Sequence, residues 1–409
     1  MAEITPQDLK VADFALREHR SLWVDAWRRL IYSNTARVGM FVVVTFVLTA
    51  ILAHYFWKYD AKTDLDYSLK LKPPNLFPTA EIQSVHIFGT DKLGRDIFRR
   101  VVHGGWNSLR VGLVAVGISL SIGGLLGLIA GFYESMPVAF LERAILFLSI
   151  AFTLGGLSAW IASQWLQLIL FGALGLVAAL FDDFLKKKPL RVLLFAVAGM
   201  LIGGGLALAV SPFTALICGI WGLLTGAVLG LSLGGTLLSN VIMRVMDIIL
   251  SFPSYLLAIA IVAFLGPGLE KGMIAIGVVG IPVYARLVRS SVLTVSQKEY
   301  ILAAQSVGEG HSRIIFRHVV PNILSPVIVQ ATMGLANAIL SAAALGFLGL
   351  GAIPPEPEWG VMLGDSYRFL ASGAWWAVLF PGLAIVFSVL GFNLLGDGLR
   401  DALDPKLRL

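Results

Sequence analysis

Charge is scarce in this sequence. Of its 409 residues only 14% are Asp, Glu, Lys or Arg, against roughly 25% in an ordinary soluble domain, which excludes a soluble globular fold. Cysteine is scarcer still: Cys218 stands alone inside an apolar block, so neither an intrachain disulfide nor a thiolate metal site can form. There is no Gly-Lys dipeptide and no HExxH. The chain therefore has neither the phosphate-cradling loop of a nucleotide hydrolase nor the paired histidines of a zinc protease. The centres of its apolar blocks hold no charged residue, and His54, near the end of the first, is their one histidine. An ion-coupled carrier keeps such groups at mid-depth, and an intramembrane aspartyl protease needs two facing carboxylates. Energy for any active transport must come from another polypeptide. A basic stripe interleaved with exposed aromatics is also missing, which argues against nucleic acid. The net charge of +6 is read instead as loops facing the cytoplasm and lipid headgroups.

What the sequence has in abundance is apolar length. Hydrophobic residues make up 57% of it, with a mean hydropathy of +0.83. They fall in blocks of about 20, the length of helix that crosses a bilayer core about 30 Å thick. Blocks at 38–56, 111–133, 192–210, 213–239, 248–266, 273–288, 323–350 and 374–396 each read as one crossing. Residues 144–181 carry no charge over 38 positions, about 57 Å of helix, which suits two crossings turning near Ser163-Gln164. The expected fold class is an all-α integral membrane protein with about ten transmembrane helices.

Ahead of the first crossing, Leu22, Trp23, Ala26, Trp27, Leu30 and Ile31 recur at helical spacing opposite Asp25, Arg28 and Arg29. They describe an amphipathic helix in the headgroup layer, or a short packed helix. Residues 1–37 hold six Lys/Arg and no apolar core, so no cleavable signal peptide is expected. Lys186, Lys187, Lys188 and Arg191, then Arg244, residues 286–317 and residues 400–408 fall on one side if crossings alternate. That side is expected to be cytoplasmic, with both termini inside.

Several polar positions carry more specific expectations. Gly123, Gly124, Gly127 and Gly131 fit close helix packing. Asp91 is expected to cap a helix bearing Leu93, Ile97, Val101 and Val102. Arg244 with Asp247 reads as an interfacial ion pair, and Asp397-Gly398 as a turn ending the last crossing. Between 286 and 322 the sequence describes a short helix from Glu299 with Ala303 and Ala304 on its surface, then a stop at Gly308 where positive φ is cheap. A second helix follows before Pro321, with Arg313 and Arg317 one turn apart. A helix-turn-helix tied at both ends to crossings is built to transmit rigid-body motion. On the residues alone, a solvated basic loop explains the stretch equally well.

Ala303-Ala304, three residues, Gly308 and a pattern closing on Pro321 resemble the coupling motif of ABC importer permeases. Leu302 stands where that family has Glu, with Glu299 one turn earlier, and His318-Val319-Val320-Pro321 replaces its Ile-x-Leu-Pro. Phe88-Gly89-Thr90-Asp91-x-x-Gly94-Arg95-Asp96, Met243-Arg244-x-x-Asp247, Tyr284-Ala285-Arg286-x-x-Arg289, Phe347-Leu348-Gly349-Leu350-Gly351, Glu358-Trp359-Gly360 and the run from Asn393 to Asp401 are similar to the C-type permease of dipeptide, oligopeptide and nickel importers. They cover about residues 20–133 and 240–409, in family order.

The resemblance implies a six-span type I importer core with a four-span insertion where the family has a short loop. The organisation expected is a cytoplasmic amphipathic segment 1–37, a first span 38–57, an extracytoplasmic loop 58–110, a core of 111–133 and 241–409 with coupling loop 286–322, and inserted hairpins 134–240. Asp182, Asp183 and Lys186 to Lys188 suit an ordinary inside loop.

By the same resemblance the chain is a permease subunit of an ATP-driven importer, for di- or oligopeptides, in a bacterial or archaeal inner membrane. The partners implied are a second homologous permease, two cytoplasmic ABC ATPases, an extracytoplasmic substrate-binding protein and membrane lipid, with no nucleic acid. No catalytic residue, cofactor or metal is expected in the chain itself, ATP and Mg being bound by the partner ATPases. The coupling residues implied are Glu299, Ala303, Ala304, Gly308, Arg313 and Pro321. The alternative, an ion-coupled secondary carrier, predicts a titratable group at mid-depth and transport that persists without ATP.

Overall fold

Lipid offers backbone N–H and C=O groups no partner, so a chain this apolar satisfies them within helices. The computed structural model describes residues 22–57, 59–60, 64–78, 84–135, 140–180, 189–230 and 235–403. Asp182, Asp183 and Lys186 to Lys188 lie outside them. The described helices are α1 (Leu22–Tyr32), α2 (Asn34–Phe56), α3 (Ile97–Ser135), α4 (Phe140–Ala162), α5 (Trp165–Leu180), α6 (Pro189–Met200, continued by a π turn over Leu201–Gly205) and α7 (Pro212–Gly230). They continue as α8 (Gly235–Ser251), α9 (Ser254–Leu265), α10 (Leu269–Ser296), α11 (Glu299–Ser306), α12 (His311–Phe347), α13 (Trp359–Ser366) and α14 (Trp376–Leu403).

Among the described residues α2, α3, α7, α10, α12 and α14 are long and apolar enough to cross a bilayer; α8 and α9 form a bent pair, and α4, α5 and α6 carry shorter apolar stretches. The turn expected near Ser163-Gln164 separates α4 from α5. Two expectations need correcting. The crossing at 248–266 is instead the bent pair: Pro253 has no N–H for the Ile249 carbonyl, which is left a long 3.4 Å bond from the N–H of Phe252, and the helix breaks there. Asp397-Gly398 does not end the last crossing, which runs on to Leu403. Gly398 lies against Ala36, where a side chain would collide, so this glycine permits close packing of α14 on α2.

The helices gather into two compact units, Met1–Gly124 with Ile249–Tyr284 and Ile323–Leu409, and Leu125–Ile248 with Ala285–Asn322. In the first, Ile97, Trp359, Trp376 and Phe392 belong to one buried cluster. Asp91 is buried beside it but does not cap α3. Its Oδ1 accepts from the N–H groups of Leu93 (2.8 Å) and Arg95 (3.0 Å), while Oδ2 pairs with Arg95 at 2.7 Å and with Arg100. Asp96 takes the capping role, accepting from the N–H of Arg99 at 2.9 Å. Burial pushes the Asp91 carboxyl up, but Arg100, Arg95 and the two N–H groups outweigh it and hold the group below the usual carboxylate range. Glu358, also buried, caps α13 through the N–H groups of Gly360 (2.9 Å) and Val361 (2.8 Å). No cation pairs with it among the described residues, and burial, opposed by those two bonds, raises its pKa to about 6.

In the second unit α6 and α7 meet through small residues: a Cβ at Gly199 would strike the Gly222 carbonyl, and one at Gly203 the Cys218 carbonyl. Polar ties cross between the remaining helices, from Gln167 Nε2 to the Gly203 carbonyl (3.1 Å) and from Trp221 Nε1 to the Leu154 carbonyl (2.7 Å). The acceptor Gly203 lies in the π turn, where carbonyls are displaced from the regular ladder. The chain leaves α3 beside Glu134 and returns on α8 at Ser239, whose hydroxyl donates to Glu134 Oε2 at 2.6 Å.

Candidate functional site

The residues singled out between 286 and 322 all belong to the second unit. Its base is a set of ion pairs between helices. Asp247 on α8 does not pair with Arg244; its Oδ1 accepts from Arg286 on α10 at 2.5 Å. A guanidinium on a neighbouring helix can present its fork end-on to a carboxylate, which a residue three positions away on the same helix cannot do as readily. Arg289, one turn further along α10, pairs with Glu134 of α3 at 2.7 Å and donates to Ser239 of α8 at 2.9 Å. Arg286 and Arg289 thus tie α10 to α8 and to the end of α3. Glu134 was not expected in this role; its signal in the sequence is a lone acid closing an apolar block.

Beyond Ser296 the chain turns through Lys298 into α11. The helix ends in a Schellman arrangement: Gly308 N–H donates to the Gln305 carbonyl (3.0 Å) and Glu309 N–H to the Ala304 carbonyl (3.1 Å). Gly308 takes φ +77°, the left-handed value its position predicts, and nothing lies within 4 Å of where its Cβ would be. Glu309 then folds back, accepting from His318 Nε2 at 2.9 Å, with Arg313 Nε 3.8 Å away. Ile301 and Ile314 are fully buried beneath this elbow.

The second helix differs from expectation. It does not stop before Pro321 but runs from His311 to Phe347, with a π stretch over Ile314–Val319. Pro321 supplies no N–H to the Arg317 carbonyl, and the Val320 N–H reaches back five residues to Ile315, so the wider turn absorbs the missing bond. Arg313 and Arg317 are both exposed.

Of the expected coupling residues, Glu299, Ala303, Gly308, Arg313 and Pro321 are exposed on the elbow. Ala304 is not on its surface. It lies one turn from Ile301 on the inner face and is buried with it. The residues missed by the sequence reading are apolar and outward: Val307 is 83% exposed, Phe316 70% and Leu302 52%. Their signal was available, since large apolar side chains in a polar loop have no folding reason to be there. The elbow therefore offers a small apolar surface rimmed by arginines. Among the described residues no group of three or more His, Cys, Asp or Glu is placed to hold a metal.

Residues 222–409 match the family of binding-protein-dependent transport system inner membrane components, and residues 21–74 match the N-terminal transmembrane domain of oligopeptide transport permease C. The chain is 38% identical over 390 residues to the dipeptide transport system permease protein of Alkalihalophilus pseudofirmus, with 95% of this chain and 91% of that protein covered. It is 54% identical over 168 residues to the dipeptide permease of Escherichia coli, covering 41% of this chain and 56% of the relative. The glutathione transport system permease protein of Pectobacterium atrosepticum is 31% identical over 389 residues, with 95% and 93% covered. With two family models and full-length relatives in agreement, the chain belongs to the inner membrane permeases of binding-protein-dependent ABC importers, in the dipeptide and oligopeptide class.

Proposed function

We propose that this chain is one of two homologous permease subunits that together enclose a path for di- or oligopeptides, and that its elbow is the part gripped by an ATPase. The observation that carries this reading is the elbow itself, a Schellman-closed turn at Gly308 that holds Val307 and Phe316 outward between Glu299, Ala303 and Arg313. An apolar patch rimmed by arginine is suited to docking in a cleft of another protein, and its ion-paired base passes motion to three helices. The chain performs no chemistry. ATP and Mg are held by two cytoplasmic ATPase subunits, and an extracytoplasmic binding protein delivers the cargo. The basic bias of the elbow supports a cytoplasmic placement for it and for both termini. Residues 134–240 form an insertion peripheral to a six-span core.

The test is Gly308→Val in the reconstituted importer. A β-branched residue resists positive φ, whereas Asn accepts it, so Gly308→Asn serves as the control. The valine variant is expected to lose at least tenfold in ATP-driven peptide uptake or to release the ATPases, and the asparagine variant to retain most activity. Normal ATPase association and uptake in Gly308→Val, or uptake that persists without ATP, would refute the reading.

A further inference from the structure

The first unit contains a cavity of about 300 Å³ walled by α3, α9, α10 and α12, at the lower end of the size range of small-molecule sites. From α12 it takes Gln330, Gly334, Asn337, Ser341 and Leu345, spaced by three and four residues so that they share one helix face. From α9 it takes Ser254 and Tyr255, just past the break at Pro253. No charged side chain lines it.

The polar groups of the wall divide into two sets. Ser119 donates to the carbonyls of Ala115 (2.9 Å) and Gly277 (2.7 Å), and the Tyr284 hydroxyl to the Gln330 carbonyl (3.4 Å). By contrast, the side-chain amides of Gln330 and Asn337 and the hydroxyls of Ser254, Tyr255 and Ser341 make no hydrogen bond among the described residues. Asn337 is moreover exposed, in the interior of a helix long and apolar enough to span a bilayer. An amide facing hydrocarbon without a partner is strongly disfavoured, so this face meets water, a polar solute or polar groups of the second permease.

We infer that this cavity is a cargo-binding stretch of the path, in which uncharged groups centred on Asn337 hydrogen-bond the backbone amides of a peptide. The inference rests on the permease reading above and adds the chemistry by which the path recognises its load. A peptide group presents one N–H donor and one C=O acceptor, which the carboxamides of Gln330 and Asn337 match in kind. Neutral groups also favour neither sign of cargo side chain, whereas a fixed charge at this depth would select one. The path is thereby tolerant of side chains and selective for the peptide bond.

The lone native thiol makes a direct test possible. In the assembled importer with Cys218→Ser, single cysteines are placed at Asn337 and at Leu340, which is exposed on the same helix but does not line the cavity. A charged, membrane-impermeant methanethiosulfonate is expected to modify the thiol at 337 faster than that at 340 in at least one nucleotide state, and di-alanine with its binding protein to slow that reaction at least tenfold. No reaction at 337 in either the nucleotide-free or the ATP-bound state would mean that lipid or the second permease fills the cavity, and would overturn the inference. Reaction indifferent to di-alanine would overturn it equally. In a second arm Asn337→Asp, nearly the same shape, is expected to slow an aspartyl dipeptide at least fivefold more than a lysyl one; equal effects on both count against the assignment. Loss of ATP dependence in the otherwise unaltered importer would instead count against the permease reading.

Discussion

Glu358 is a carboxylate with two backbone donors and no cation, an arrangement whose pH dependence follows by sign alone. Its pKa rises from 4.5 unfolded to about 6 folded, so the fold favours the protonated form. The contribution of this group to stability is greatest below about 4.5 and is lost as pH rises through 6, by about 2 kcal/mol in all. Glu358→Gln is expected to flatten the part of the melting curve's pH dependence that lies between 4.5 and 7, followed by tryptophan fluorescence in detergent. An unchanged slope over that window would show that the burial of this group is not what sets it. At this scale the sequence is legible where one residue type serves one backbone demand, as at Gly308. It is less so where partners are distant: Asp91 reads as a cap because helix-capping residues are recognised by local spacing, while its pairing with Arg95 and Arg100 in a buried cluster depends on folding.

Among the elements, the π stretch beneath the elbow shows how a single proline sets the shape of a long helix. Pro321→Ala restores a donor for the Arg317 carbonyl and removes the reason for the wider turn. Because each residue advances an α-helix by about 100°, even a partial return to α geometry re-aims Phe316 and Arg317 relative to the rest of α12. The expected result is a fall of about threefold or more in peptides moved per ATP, with every other residue of the elbow untouched; an unchanged ratio would show that the π geometry has no part in coupling. The turn at Ser163-Gln164 was readable from the uncharged length on either side of it, which is arithmetic. The break at Pro253 and the run-on past Gly398 were not, since a proline can kink or end a helix and a glycine can end or pack one; tertiary neighbours decide which.

For the whole molecule, the proposed insertion would return the chain to its starting side through an even number of crossings between α3 and α8, and the 2.6 Å contact of Ser239 with Glu134 shows how near the two ends come. Replacing residues 136–234 with a short Gly/Ser linker therefore closes a small gap, and loop closure of that kind is a modest entropic matter. The shortened chain is expected to assemble with the ATPases and import di-alanine, as read by co-purification and vesicle uptake; failure to assemble would make the four helices part of the importer's working core. The long apolar helices were visible in the sequence because bilayer thickness dictates their length; among the described residues six reach that length, and α4, α5 and α6 carry shorter apolar stretches than the ten crossings expected. The grouping of residues 285–322 with residues 125–248 in one compact unit was not, since nothing in periodicity states which helices lie together.

The meeting of Glu134, Ser239 and Arg289 has an evolutionary corollary. One acid is shared by two donors drawn from separate stretches of the chain, and removing it leaves the Arg289 guanidinium only a neutral hydroxyl in place of its ion pair. Across homologues these three positions are therefore expected to co-vary, changing as a set.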